Sequence, residues 1–277
     1  MCVDRRDLRP LWWLSVAVLV LMAVSSAAGL WWRGLYREPA ELRAVLRAYD
    51  LVTLAAVVPL LGGVVVAGKR RAGPAVALLW AGCLIYAVYH YTALSFGLTF
   101  NDLFLVHVFL VPLSIAALVL LLANLDTDGI RRRFSPRTPA RSVSVLLLLL
   151  AVALGGVWTW SAARYAVTGE QPGESDLVLP PRSVHLAYAL DLGLLTPALL
   201  LGAVLLWRRA PWGYVLAPAL LVYLLLYQAN YTAALVFQAD ADIAHAKRVD
   251  PAEPFITAAL LAAAVAMFAG LRRPRTS

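Results

Sequence analysis

The chain of 277 residues is 62% hydrophobic and 14% charged, with a mean hydropathy of +0.76. Soluble domains are nearer a quarter charged, so this composition excludes an ordinary water-soluble globule and calls for lipid as the surrounding solvent. The net charge of +8 would suit nucleic acid, but its distribution excludes that partner.

Sixteen of the 24 Lys and Arg residues lie at the chain ends and in the short gaps after even-numbered apolar stretches, as in Lys69–Arg71 and Arg131–Arg141. The other gaps hold 8 basic and 12 acidic residues. This is the positive-inside pattern. It predicts both termini in the cytoplasm and the bilayer, with its anionic headgroups, as the partner of the basic side. The localisation expected is a bacterial cytoplasmic membrane.

Eight stretches approach the roughly 20 apolar residues that a spanning helix needs. They run over 11–32, 50–68, 74–98, 102–124, 143–161, 184–207, 213–237 and 254–271. The fold class expected is therefore all-α, a polytopic transmembrane helical bundle of eight spans.

The first stretch resembles a signal peptide, with small residues at Ser25–Ala28, but its apolar run continues through Trp32 and predicts a retained span. Trp12-Trp13 and Trp31-Trp32 mark its two interfaces, and Trp158, Trp160, Trp207 and Trp212 read as the same aromatic belt. Glu38–Asp50 has Pro39 near its start and apolar Leu42, Val45, Leu46 and Tyr49, which predicts an amphipathic helix running into the second stretch. Asp50 at its end can pair with Arg47 one turn earlier. Pro59, Gly62-Gly63 and Pro197 are signs of interrupted helices.

The third stretch carries Tyr86 and His90 at i, i+4, beside Tyr89 and Tyr91; the fourth carries His107. A basic segment, 131–142, then separates two halves, 1–130 and 143–277. After the fifth stretch comes an acidic outer loop, Thr168–Asp176. The sixth holds His185, Tyr188 and Asp191, and the seventh holds Tyr223, Tyr227 and Asn230.

The halves match at several landmarks. Pro39 and Asp50 recur as Pro180 and Asp191 at an offset of 141, and Tyr91-Thr92-Ala93 recurs as Tyr231-Thr232-Ala233 at 140. Pro112 and Pro254 stand 142 apart. These predict two tandem four-helix repeats of the same orientation, related by an axis along the membrane normal. His90 and Asn230 are then equivalents, as are Asp50 and Asp191.

An ionisable residue inside a span costs roughly 2.5–3.5 kcal/mol on insertion scales, so such residues face protein or water. Asp50, Tyr86, His90, Asp191, Tyr227 and Asn230 are accordingly the candidate ligand-binding residues. Asp191, His90 and Asn230 are expected in one outward-facing pocket, with Asp50 near its rim. The competing reading makes them interhelical hydrogen-bond glue.

No phosphate-binding loop, HExxH, GxSxG or CxxC motif is present, and Cys2 and Cys83 form no pair. His90 and His107 could between them hold a haem, but the second half has no counterpart pair. No cofactor, catalytic residue or metal is expected.

The runs YHYTALSFGLTFNDLFL (Tyr89–Leu105) and PWGYVLA (Pro211–Ala217) resemble a group of bacterial multi-pass membrane proteins. The resemblance implies the same bundle over most of the chain and brings no activity with it. That group carries Asn as often as His at position 90, which implies no haem or metal role there. The function expected is binding or movement of a small molecule, ion or lipid through a cavity between the repeats. The alternatives are a membrane-embedded enzyme acting on a lipid or quinone, with Asp191 or His90 as acid or base, and an accessory subunit.

Overall fold

Helices α1 (Leu8–Trp31), α2 (Ala40–Val52), α3 (Val58–Arg71), α4 (Pro74–Gly97), α5 (Phe104–Ala123) and a short α6 (Thr127–Arg133) make the first half. Helices α7 (Ala140–Thr168), α8 (Pro181–Leu190), α9 (Thr196–Trp207), α10 (Gly213–Asp240) and α11 (Glu253–Ala269) make the second. These come from a computed structural model that describes residues 8–71, 73–170 and 176–272. Cys2, the basic residues Arg5 and Arg6, most of the acidic loop, and Arg273 and Arg275 of the last basic cluster lie outside them. Helix accounts for 80% of the structure.

Seven helical rods are long and apolar enough to cross a bilayer: α1, α2–α3, α4, α5, α7, α8–α9 and α10. The eighth apolar stretch forms α11, whose 17 residues extend only roughly 25 Å at 1.5 Å per residue. Its two neighbours nevertheless bracket the bundle. Leu271, just beyond α11, bridges to Phe134 of the basic segment, with Ser135 N donating to Gly270 O at 2.8 Å and Arg272 N to Arg133 O at 2.8 Å. Phe134 also meets Tyr214 in the first turn of α10, the rings tilted with centroids 5.0 Å apart. So α11 runs antiparallel to α10 and ends at the face where α10 begins, the linker face.

Helices α4 and α10 form the centre, and they are the least apolar and most buried of the rods. The two facts have one cause. In lipid, water does not drive helices together, so polar side chains and close backbone approach decide which helix goes inside. Both helices carry the Tyr, His, Asn and Gln side chains, and Gly82 lets them touch. A Cβ at Gly82 would stand 2.5 Å from Val222 Cβ and 2.9 Å from Ala219 O of α10.

Around this pair, α2 packs on α10 and α8 on α4, so each half's second rod leans on the other half's central helix. Helix α1 packs on α5 and on α2–α3, whereas α7 packs chiefly on α9.

The rods α2–α3 and α8–α9 are continuous, not interrupted. Each contains one π-helical turn, Thr53–Val57 and Asp191–Leu195, ending two residues before a proline, Pro59 and Pro197. A proline inside a helix lacks an N–H and pushes against the carbonyl four residues back. The wider turn absorbs that mismatch without breaking the rod.

At the face away from the linker, polar ties hold the rods in register. Glu38, only 2% exposed, accepts from Thr99 N and Thr99 Oγ1, both at 2.8 Å. Gln238 at the end of α10 donates to Glu41 O at 3.0 Å and Val178 O at 2.7 Å, and accepts from Val178 N at 3.1 Å.

Candidate functional site

Because α2 and α8 lean on opposite sides of the α4–α10 pair, a space remains among the four. It is a cavity of about 120 Å³, lined from its floor by Tyr86, Tyr89, His90, Tyr223, Tyr227 and Asn230. Tyr49 and Leu46 of α2 and Leu186 of α8 close the sides, and Leu98 and Leu179 stand at the helix ends away from the linker. No Lys, Arg, Asp or Glu belongs to this lining.

Four of the six residues expected from the sequence come together here. Tyr86 Oη is shared between Thr53 Oγ1 at 2.7 Å and Asn230 Nδ2 at 2.9 Å, which ties α4 to the first π turn and to α10. His90 lies flat against Tyr86, ring centroids 5.2 Å apart, with Tyr91 edge-on at 5.0 Å and Tyr49 at 5.9 Å. Tyr227 meets Tyr89 edge-on at 6.0 Å. His90 Nε2, Asn230 Oδ1 and Tyr223 Oη are buried and have no hydrogen-bond partner among the described residues.

The two carboxylates lie elsewhere. Asp191 is 1% exposed and stands behind the cavity wall, where it accepts from Tyr89 Oη at 2.5 Å and Trp158 Nε1 at 2.9 Å. Tyr89 therefore has one face on the cavity and its hydroxyl on the carboxylate. Asp50 accepts from Tyr36 Oη at 2.7 Å, and lies against Gly29 of α1. Tyr36 sits in the α1–α2 loop, and burial together with the Asp50 carboxylate raises its phenol well above the ordinary range, keeping it a donor. The ion pair expected between Asp50 and Arg47 does not form, because Arg47 Nη2 donates to Leu30 O at 3.3 Å instead.

Of the remaining histidines, His107 Nε2 is paired with Ser25 Oγ at 3.0 Å, and His185 and His245 are exposed. Sequence reasoning missed Trp158, Thr53 and Tyr36 as partners of these polar groups. Trp158 reads as an interface residue, yet its ring stacks on Tyr188 at 4.2 Å and its N–H reaches Asp191.

Seven rods of this length and composition, packed on a polar centre, define a multi-pass membrane protein of the helical class. The chain matches no family model, no curated protein and no solved structure.

Proposed function

We propose that the protein binds a small, uncharged, polar molecule in the cavity between α2, α4, α8 and α10, and admits it from the face away from the linker. One observation carries this reading. Three buried polar atoms of residues in one lining, His90 Nε2, Asn230 Oδ1 and Tyr223 Oη, have no hydrogen-bond partner among the described residues. Leaving such atoms unpaired costs about 1–3 kcal/mol each, so a ligand that satisfies them recovers that cost. The lining bears no formal charge, which disfavours an ion or a charged solute.

The volume narrows the class further. About 120 Å³ equals about four water volumes, well under the roughly 300 Å³ at which drug-sized ligand sites begin. A small solute fits; a whole quinone or lipid does not. The alternative, an enzyme acting on a lipid or quinone, draws support from Tyr89, which joins the cavity to the Asp191 carboxylate. It would require the substrate to present only a headgroup.

In the same reading α11 is an eighth span, since it returns to the linker face, and both termini are cytoplasmic in a bacterial inner membrane. The halves are tandem repeats: the paired π turns and the reciprocal packing of α2 on α10 and α8 on α4 support that symmetry. Small-molecule mass spectrometry of protein purified in mild detergent tests the binding reading. A compound released by the wild type and absent from His90→Phe/Asn230→Leu is expected. Identical profiles from both proteins would sink it.

A further inference from the structure

A second recess lies at the far face, outside the site just described. It is an open groove of about 990 Å³ between the end of α1, the start of α2 and the end of α10. Its lining includes Trp31, Trp32, Arg33, Tyr36, Arg43 and Arg47. On α2 the groove-facing residues are Ala40, Arg43, Ala44 and Arg47, spaced to share one helix face, where the alanines leave room between the guanidiniums.

Two of the arginines are held by backbone carbonyls, without an ion pair. Arg43 Nη1 donates to Glu38 O at 2.6 Å and Arg47 Nη2 to Leu30 O at 3.3 Å. Both acceptors are backbone carbonyls, so each guanidinium is oriented while its charge and most of its donors stay free. None of the three arginines forms an ion pair among the described residues. Of the nearby acids, Glu38 is engaged by Thr99, Asp50 by Tyr36 with the Arg47 charge in range, and Asp240 by Arg248, while Glu41 of α2 does not line the groove. Asp242, the acid nearest in sequence to Ala241 and Ile243 of the lining, does not itself line the groove.

Charge placement makes the cluster unusual for its side. Of the 8 basic residues in the gaps away from the linker, four, Arg33, Arg37, Arg43 and Arg47, fall within one short segment. Trp31 and Trp32 beside them are 72% and 53% exposed, which sets the groove at the level where indoles meet lipid headgroups.

We propose that Arg33, Arg43 and Arg47 clamp the phosphate of an anionic phospholipid headgroup, with the Trp31–Trp32 pair against the lipid's glycerol and upper chain. A phosphate offers the oxygens that guanidinium forks bind two at a time, and the interface supplies the ligand at high local concentration. A free phosphate shares the chemistry of the clamp but not the need for the indoles.

The test reconstitutes full-length protein in phosphatidylcholine nanodiscs and titrates phosphatidylglycerol brominated on its chains, reading tryptophan quenching. The wild type should show saturable quenching at a low mole fraction. Arg33→Gln/Arg43→Gln/Arg47→Gln should need at least tenfold more lipid, and the matching Lys triple should fall between, which also certifies the fold. Arg164→Gln/Arg182→Gln, on the same face but outside the groove, should behave as wild type. Equal curves for wild type and the Gln triple would overturn the clamp, as would an equal loss in the Arg164/Arg182 control. Displacement of the lipid by millimolar inorganic phosphate would overturn the lipid assignment in favour of a soluble anion.

Discussion

Tyr89 Oη donates to Asp191 Oδ1 at 2.5 Å, across 102 residues of chain and between the two halves of the protein. Trp158 completes the site from a third helix. The carboxylate is therefore held by two donors from two elements, and removing it leaves both half-buried donors orphaned. Asp191→Leu should destabilise the protein in detergent by about 1–3 kcal/mol, through the unmet donors rather than the lost acceptor. Adding Tyr89→Phe should recover part of that loss, because one orphan is then gone. Thermal unfolding of the single and double variants checks this, and purely additive losses would contradict it.

Why Trp158 escapes a sequence reading is visible in the segment Trp158-Thr159-Trp160. Two residues along a helix turn the side chain by roughly 200°, so the two indoles cannot share a face. Trp160 is 72% exposed and belongs to the lipid-facing belt; Trp158 points inward. Composition marks both as interfacial, and only the contacts of Trp158 with Tyr188 and Asp191 separate them. The rods themselves were legible, since apolar length alone defines them. So was the gathering of Tyr86, His90, Tyr227 and Asn230, because they occupy the inward faces of the two least apolar stretches.

The expected pairing of Asp50 with Asp191 does not share the spacing of the backbone landmarks. The backbone landmarks, the π turns and Pro59 with Pro197, stand 138 residues apart rather than 141. At that offset Thr53 corresponds to Asp191, and each opens its π turn with a hydrogen bond to a tyrosine of α4. Asp50 lies one turn earlier and faces α1.

Gly29 is required by Asp50. A Cβ there would overlap Asp50 Oδ2 and stand 2.7 Å from Tyr36 Oη, and neither can yield without breaking their hydrogen bond. Gly29→Ala should therefore cost about 1–3 kcal/mol as overpacking. Gly63→Ala is the control, since a Cβ at Gly63 meets nothing within 4 Å. Fluorescence-detected size exclusion after heating should separate the two; equal midpoints would show that Asp50 has room to move.

Whether α11 crosses the membrane has a direct consequence for labelling. Lys247 precedes it and is exposed, while Leu271 follows it and sits against Phe134 of the linker. In a Cys2→Ser background, Lys247→Cys should react with an impermeant maleimide from outside intact cells. A cysteine at Arg272 should react only after permeabilisation. Labelling of both from the same side would make α11 a surface helix rather than a span.

The cavity reading makes a prediction that the hydrogen-bond-glue reading does not. Ala93 lines the cavity from α4, beside His90 and Tyr89. Ala93→Leu adds about three carbons, which in a filled core would cost about 1–3 kcal/mol through displaced neighbours. Here the added group enters open space, so it gains contacts and forces none apart. The fold should be as stable as the wild type or more so. Binding should suffer in the opposite sense, because the volume next to His90 Nε2 and Asn230 Oδ1 is then taken. The expected outcome is an unchanged or raised thermal midpoint together with loss of the co-purifying small molecule. If the polar cluster served only to hold helices together, Ala93→Leu would leave the small-molecule profile as it was, since none of the bonds among Tyr86, Thr53 and Asn230 involves Ala93.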